Sequence, residues 1–426
     1  MNLSNEDRML LYCSQTEISE TTRSRIKTLL SSPLNWDNLL ESANWHGVTP
    51  LLYHSLKQMG EGNYIPPDLL NKLKNTYYEN LAKNMYLYSQ LEKILEAFNQ
   101  HGIKVIVLKG AALAEAVYGD IALRPMNDID LMVKKEDLPT AEKIISDLGY
   151  TFDGKEPPEW YRENHFHVGY LSPDKSILVE LHWHIARKSH PSRIAIIDSA
   201  FIQGFWERAE TLEIAGNKAL VLCPEDLLLH LSLHFLKHRF MSNSFRGTFT
   251  NRNALIQLCD ISHILKHYSD EINWDRLKQE SDKHGIRNLV HSIIYIAEEL
   301  LGNGESVSHK NSNGSTPESL DYELIELIHK KILAKEERIP AVFFQSLAAD
   351  SFKLKVRILL DSLFPQPSVL ARKYSLDPHS LKFYLYYLIR PLSVLIKHAK
   401  LLRKSWGANK EITEEVILNK WINSRN

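Results

Sequence analysis

A helical rhythm of apolar residues stops at Gly102 and a β-branched run takes over, and this switch restricts the fold more than any other feature of the chain. After Pro66-Pro67, the residues Leu70, Leu73, Tyr77, Leu81, Met85, Tyr88, Leu91, Leu95 and Phe98 recur at three- and four-residue intervals. That spacing predicts one long amphipathic helix from Asp68 to His101, its apolar stripe packed in the core. Ile103-Lys104-Val105-Ile106-Val107-Leu108 then reads as a short buried strand ending at Lys109-Gly110. A small-residue helix from Ala111 to Tyr118 follows, with Gly119-Asp120 as its turn. A second strand, Ile129 to Val133, leads into a second helix, Glu136 to Leu148. Two further strands, Phe166 to Leu171 and Ile177 to Ile185, are joined through Ser172-Pro173-Asp174-Lys175.

The expected organisation is therefore α+β: an N-terminal helical region over 1–98, a small mixed sheet with its helices over 99–215, and a C-terminal helical domain over 216–426. Pro224-Glu225-Asp226 opens the last part as a helix start, with proline in the first turn and acids against the dipole. Residues 302–319, rich in Gly, Ser and Asn, read as a flexible insertion. The 51 Lys+Arg against 52 Asp+Glu leave no global field to recruit a polyanion. The three cysteines, Cys13, Cys223 and Cys259, exclude a disulfide framework and read as core residues in a reducing compartment. No export signal opens the chain, and the apolar stretch from Phe383 to Ile396, split by Arg390-Pro391, falls short of the ~20 residues of a bilayer span. A cytoplasmic protein without membrane insertion is the expectation.

The chemistry concentrates between Leu108 and Val133. Asp128 and Asp130 stand at the mouth of an apolar strand, and residues i and i+2 of a strand share a face. Two carboxylates held side by side repel, and Mg²⁺ relieves such a pair while keeping water and phosphate oxygens as its other ligands. Glu180, on a plausible neighbouring strand, is a third acid. Sites with two metal ions roughly 3.5–4 Å apart use such a set. Lys109-Gly110 precedes a helix whose free N–H groups favour phosphate, and Arg124 offers a bidentate phosphate contact. Taken alone, Asp-x-Asp before an apolar run is an ordinary solvated strand entry; the joint arrangement is what points to phosphoryl chemistry.

The run from Leu108-Lys109-Gly110 to Arg124-Pro125-Met126-Asn127-Asp128-Ile129-Asp130-Leu131-Met132-Val133 resembles the core of the DNA polymerase β-like nucleotidyltransferases, in particular an uncharacterised bacterial family of that superfamily. The resemblance extends to His46-Gly47-Val48-Thr49-Pro50-Leu51-Leu52-Tyr53, to Val179 through Trp183, and to Pro224 through His234. It implies a polymerase-β-like fold and Mg²⁺-dependent transfer of an NMP from an NTP to an acceptor hydroxyl, with Mn²⁺ as a substitute. Asp128, Asp130 and Glu180 are then the metal-binding and catalytic acids, and Lys109, Gly110 and Arg124 the nucleotide-binding residues. The acceptor is open: a small molecule, a peptide, a protein or an RNA end. Two positions depart from the superfamily pattern, Ala111 where a serine usually follows the glycine and Glu180 where the third acid is usually aspartate. They keep a second reading in play, a catalytically weak nucleotide- or partner-binding protein on the same scaffold.

The 19 histidines add further candidates. His165 and His167 alternate along one strand, and His182 and His184 share a face with Glu180. Packing or hydrogen bonding beside the acids is their expected role, and a zinc-dependent hydrolase is the weaker alternative. His230, His234 and His238 lie at i, i+4 and i+8 on one helix, where His230 and His234 are expected to line the cleft or core and Asp260 to pair with one of them. The basic stretch at Arg372-Lys373 and Lys397 to Lys404 reads as a solvated face.

Overall fold

A computed structural model describes residues 3–60, 64–185, 199–240 and 252–302, with isolated positions beyond. Helices α1 (Asn5–Tyr12), α2 (Glu20–Leu30), α3 (Trp36–His46) and α4 (Thr49–Met59) open the chain. Ser4, Ser19 and Asn35 supply the N-cap oxygens of the first three. Helix α5 (Pro67–Gln100) follows as a single 34-residue element, as the stripe predicts. It buries Leu73, Leu87, Leu91, Ile94, Leu95 and Phe98, and it also buries Asn80 and Asn84, which have loop carbonyls as partners. The prediction does not hold along the whole stripe, since Met85 is 59% exposed.

Strand β1 (Val105–Val107), helix α6 (Lys109–Ala116), strand β2 (Asp128–Val133), helix α7 (Leu138–Asp147), strand β3 (Thr151–Phe152), helix α8 (Pro158–Asn164), strands β4 (His167–Leu171) and β5 (Leu178–His182), helix α9 (Ser199–Arg208), and strands β6 (Glu210–Ile214) and β7 (Asn217–Val221) form the α/β part. The sheet has seven strands among the described residues, in the order β3-β4-β5-β2-β1-β7-β6. β2 pairs in parallel with β5 and β1 in parallel with β7; the other pairings are antiparallel. The mixed sheet with flanking helices is the α+β class expected from the sequence. The β6–β7 hairpin was not foreseen and carries the sheet to Val221. Four of the five β6 positions are exposed, so no buried-face alternation marks it in the sequence.

Helices α10 (Pro224–Phe240), α11 (Ala254–His267), α12 (Trp274–Lys283) and α13 (Arg287–Leu301) follow. The insertion over 303–319, the stretch over 386–396, the basic stretches and the last helices lie outside the described residues. Among the described residues no helix is long and apolar enough to cross a membrane.

Two apolar clusters sandwich the sheet. Val105, Val107, Ile129, Leu131, Val133, Val179 and Leu181 join α5 and α7 on one face. Ile106 and Met132 join residues of α1–α4 and α10–α13 on the other. Side chains alternate along a strand, so Asp128 and Asp130 share Met132's face and look toward the terminal helices. Cys13, Cys223 and Cys259 are all buried and unpaired, as core residues should be.

Candidate active site

The acids meet because β2 and β5 run side by side in register. Asp130 lies opposite Glu180 and Asp128 opposite Leu178, which puts all three carboxylates on one patch of one sheet face. One oxygen from each lies within 4.8 Å of the others. Asp130 is buried, while Asp128 and Glu180 are partly open. Three carboxylate oxygens at this spacing are a hard, oxygen-only donor set, which suits Mg²⁺ or Mn²⁺.

Cationic side chains hold the cluster together. Lys109 Nζ donates to Asp130 Oδ1 at 2.9 Å, and His182 Nε2 lies 2.9 Å from the same oxygen and 3.2 Å from Glu180 Oε2. His167 Nδ1 reaches Glu180 Oε2 at 3.0 Å. Burial alone would raise Asp130, but Lys109 and His182 overcome it and hold its carboxyl below the usual range. Glu180 is likewise held low, against burial, by His167 and His182. The same carboxylates raise Lys109 and His182 against their own burial. Asp128 goes the other way: burial first, then the charge of Asp130, push it up to about 6. Asp130 and Glu180 are thus the partnered acids, and Asp128, pushed up by burial and by Asp130, is the one whose charge an added cation would neutralise.

Lys109 takes its place through an unusual backbone. Its φ is 44°, in the left-handed region that non-glycine residues seldom adopt, at the first residue of α6. Gly110 follows in a tight spot: a Cβ there would lie 3.0 Å from Arg124 Nη1 and 3.0 Å from Met126 Sδ, so a larger residue would press on both side chains.

Arg124 differs from its expected role. Its Nε and Nη2 donate to Asp260 Oδ1 and Oδ2 at 2.8 and 2.7 Å, so the two-pronged grip expected on phosphate is made on α11. Tyr118 Oη donates to Asp260 Oδ1 at 2.7 Å. Asp260 therefore pairs with Arg124 and Tyr118 and not with a histidine of α10. From the opposite side, α5 holds the loop that leads to β2. Asn80 Nδ2 donates to the Ala122 carbonyl, Asn84 Nδ2 to those of Ile121 and Arg124, Tyr77 Oη to Asp120, and Lys83 Nζ to Asn127. Reasoning from the sequence missed this clamp. Its signal was Asp260 itself, a carboxylate in the apolar run Leu258-Cys259-Asp260-Ile261, which demands a buried cation.

His230 is buried beside Phe205, and its ring lies 6.2 Å from that of His234. Both sit in the helical layer on α10, and neither belongs to a metal-competent cluster among the described residues. The side chain of His238 lies outside the described residues.

The sequence profile of a family described as "Uncharacterised nucleotidyltransferase" matches residues 32–302, more than half of the chain, and the protein belongs to that family. A search of curated proteins finds no match. Among solved structures, the antibiotic-resistance factor ANT(2'')-Ia is similar at 12% identity and a TM-score of 0.30, over 47% of this chain and 91% of that one.

Proposed function

We propose that the protein transfers an NMP from an NTP to an acceptor hydroxyl, with Asp128, Asp130 and Glu180 as the metal-binding acids. The observation that carries this reading is the convergence of their three carboxylate oxygens on one sheet face, with Asp128 as the one whose charge an added cation would neutralise. Mg²⁺ held there would neutralise phosphate charge and lower the pKa of the acceptor hydroxyl. The uncapped N-terminus of α6, with Lys109 and Gly110, offers amide donors and a positive dipole end to the triphosphate. Arg124, committed to Asp260, fixes the entry to β2 and so the aim of Asp128. In the reaction the acceptor oxygen bonds to the α-phosphorus, the bond from that phosphorus to the β-phosphate's bridging oxygen breaks, pyrophosphate leaves with the electron pair, and the hydroxyl proton passes to water.

Pyrophosphate release from each NTP, with Mg²⁺ and with EDTA, tests the reading. Asp128→Ala and Asp130→Asn should each lose about 100-fold or more of the turnover; full turnover in both would overturn it. One observation favours a second reading, binding with little catalysis: Lys109 Nζ rests on Asp130. Mg²⁺-dependent NTP binding by calorimetry, without pyrophosphate release for any acceptor supplied, is the result that reading expects.

A further inference from the structure

A second donor cluster adjoins the carboxylates: it shares Glu180 with them and adds His167 and His182, to which the reaction just described gives no step. On β4, His167 lies opposite His182 of β5, and Gly169 lies opposite Glu180. Both imidazoles approach one oxygen, Glu180 Oε2, with His167 Nδ1 at 3.0 Å and His182 Nε2 at 3.2 Å. Their rings are 4.9 Å apart and nearly perpendicular. The three ligand atoms lie within 4.8 Å of one another.

Atoms bound about 2.0–2.2 Å from one zinc-class ion stand about 2.9–3.5 Å apart. The two contacts to Oε2 already have the lengths of edges of such a polyhedron. A hydrogen bond to each of Asp130 and Glu180 accounts for one bridging histidine. A second imidazole on the same carboxylate oxygen is more than that pairing needs, and two histidines with one carboxylate are a recurrent metal-binding set. Gly169 leaves no side chain over Glu180, and a Cβ there would press on Leu178 Cδ1 at 3.2 Å. His182 is buried, while the side chains of His167 and Glu180 are each 20% exposed, so one side of the cluster faces solvent.

We propose that His167, Glu180 and His182 form a site for a divalent transition-metal ion of the zinc class, with an open position toward solvent for water or an acceptor oxygen. The site shares Glu180 with the oxygen-donor cluster and touches it through His182, whose Nε2 would give up its proton to water and its 2.9 Å contact with Asp130 Oδ1 on binding the ion; its two imidazole nitrogens select against Mg²⁺. It goes beyond NMP transfer and stands or falls separately from it.

The test uses the full chain, freed of metal by chelation and titrated with Co²⁺ in excess Mg²⁺. The expected result is about one Co²⁺ per chain, visible d–d absorption from nitrogen ligation, and displacement by Zn²⁺ but not by more Mg²⁺. His167→Ala, at a partly exposed position, should weaken Co²⁺ binding on the order of tenfold or more while keeping the wild-type thermal melt. Asp128→Asn should keep the Co²⁺ spectrum. Absence of the bands, displacement by Mg²⁺, or unchanged binding in His167→Ala would overturn the site. Mg²⁺-dependent NTP binding, measured separately on the same samples, reports on the transferase reading: its absence beside an intact Co²⁺ spectrum would reject that reading and leave the metal site standing.

Discussion

Two buried aspartates, Asp130 and Asp260, sit at opposite ends of the segment that leads into β2, and they are satisfied in opposite ways. Asp260 is closed: a two-pronged arginine and a tyrosine hydroxyl saturate it. Asp130 is open: Lys109 and His182 reach it, but two further carboxylates crowd it, and its charge helps push Asp128 up to about 6. The first arrangement locks backbone in place. The second stores repulsion that an incoming cation or a proton on Asp128 would relieve.

The sharpest way to break this contrast is Asp260→Ala, which strands Arg124 in a buried position. It should lower unfolding stability in urea by about 3–5 kcal/mol at pH 7. A loss below about 1 kcal/mol would show that the pair locks little.

Acid should act on the two ends with opposite sign. His263 packs edge-on against Tyr118 with ring centroids 4.6 Å apart, and burial, then Lys266, depress it to about 3. Its folded value lies below its unfolded 6.5, so its contribution is complete above pH 6.5 and is lost as pH falls from there toward 3. The slope it adds approaches about 1.4 kcal/mol per pH unit. His263→Phe should flatten the decline in Tm between pH 7.5 and 5; an unchanged decline would place the acid sensitivity elsewhere.

Asp128 shows the reverse. Its folded value of about 6 stands above the ordinary 3.8, so its charge costs stability above pH 6 and the cost fades as pH falls. Asp128→Asn should therefore raise unfolding stability by about 1 kcal/mol at pH 7, and by less at pH 4.5, even as turnover is lost. A variant less stable than wild type at pH 7 would show that Asp128 is paired.

Much of this was legible in the chain. The long helix, the strands, and the shared face of Asp128 and Asp130 follow from periodicity and from the two-residue repeat of a strand, whereas the place of Glu180 beside them comes from the pairing of β2 with β5. Two features stayed hidden for different reasons. The β6–β7 hairpin lies at the sheet edge with most of β6 in solvent, so burial wrote no alternation into its sequence. Arg124 and Asp260 are each visible as charges in need of partners, but their pairing depends on how α11 docks, which no local pattern encodes. Arginine's fork serves phosphate and carboxylate equally well, so residue type alone does not choose between them.

The parallel pairing of β2 with β5 also bears on how the chain reaches its final state. The β4–β5 and β6–β7 hairpins join neighbours in sequence and close quickly, whereas Asp130 meets Glu180 across 180 − 130 = 50 positions. Long closures of this kind come late in folding. On that ground the carboxylate cluster should be completed after the local hairpins, so that its repulsion arises when most of the scaffold that contains it already exists.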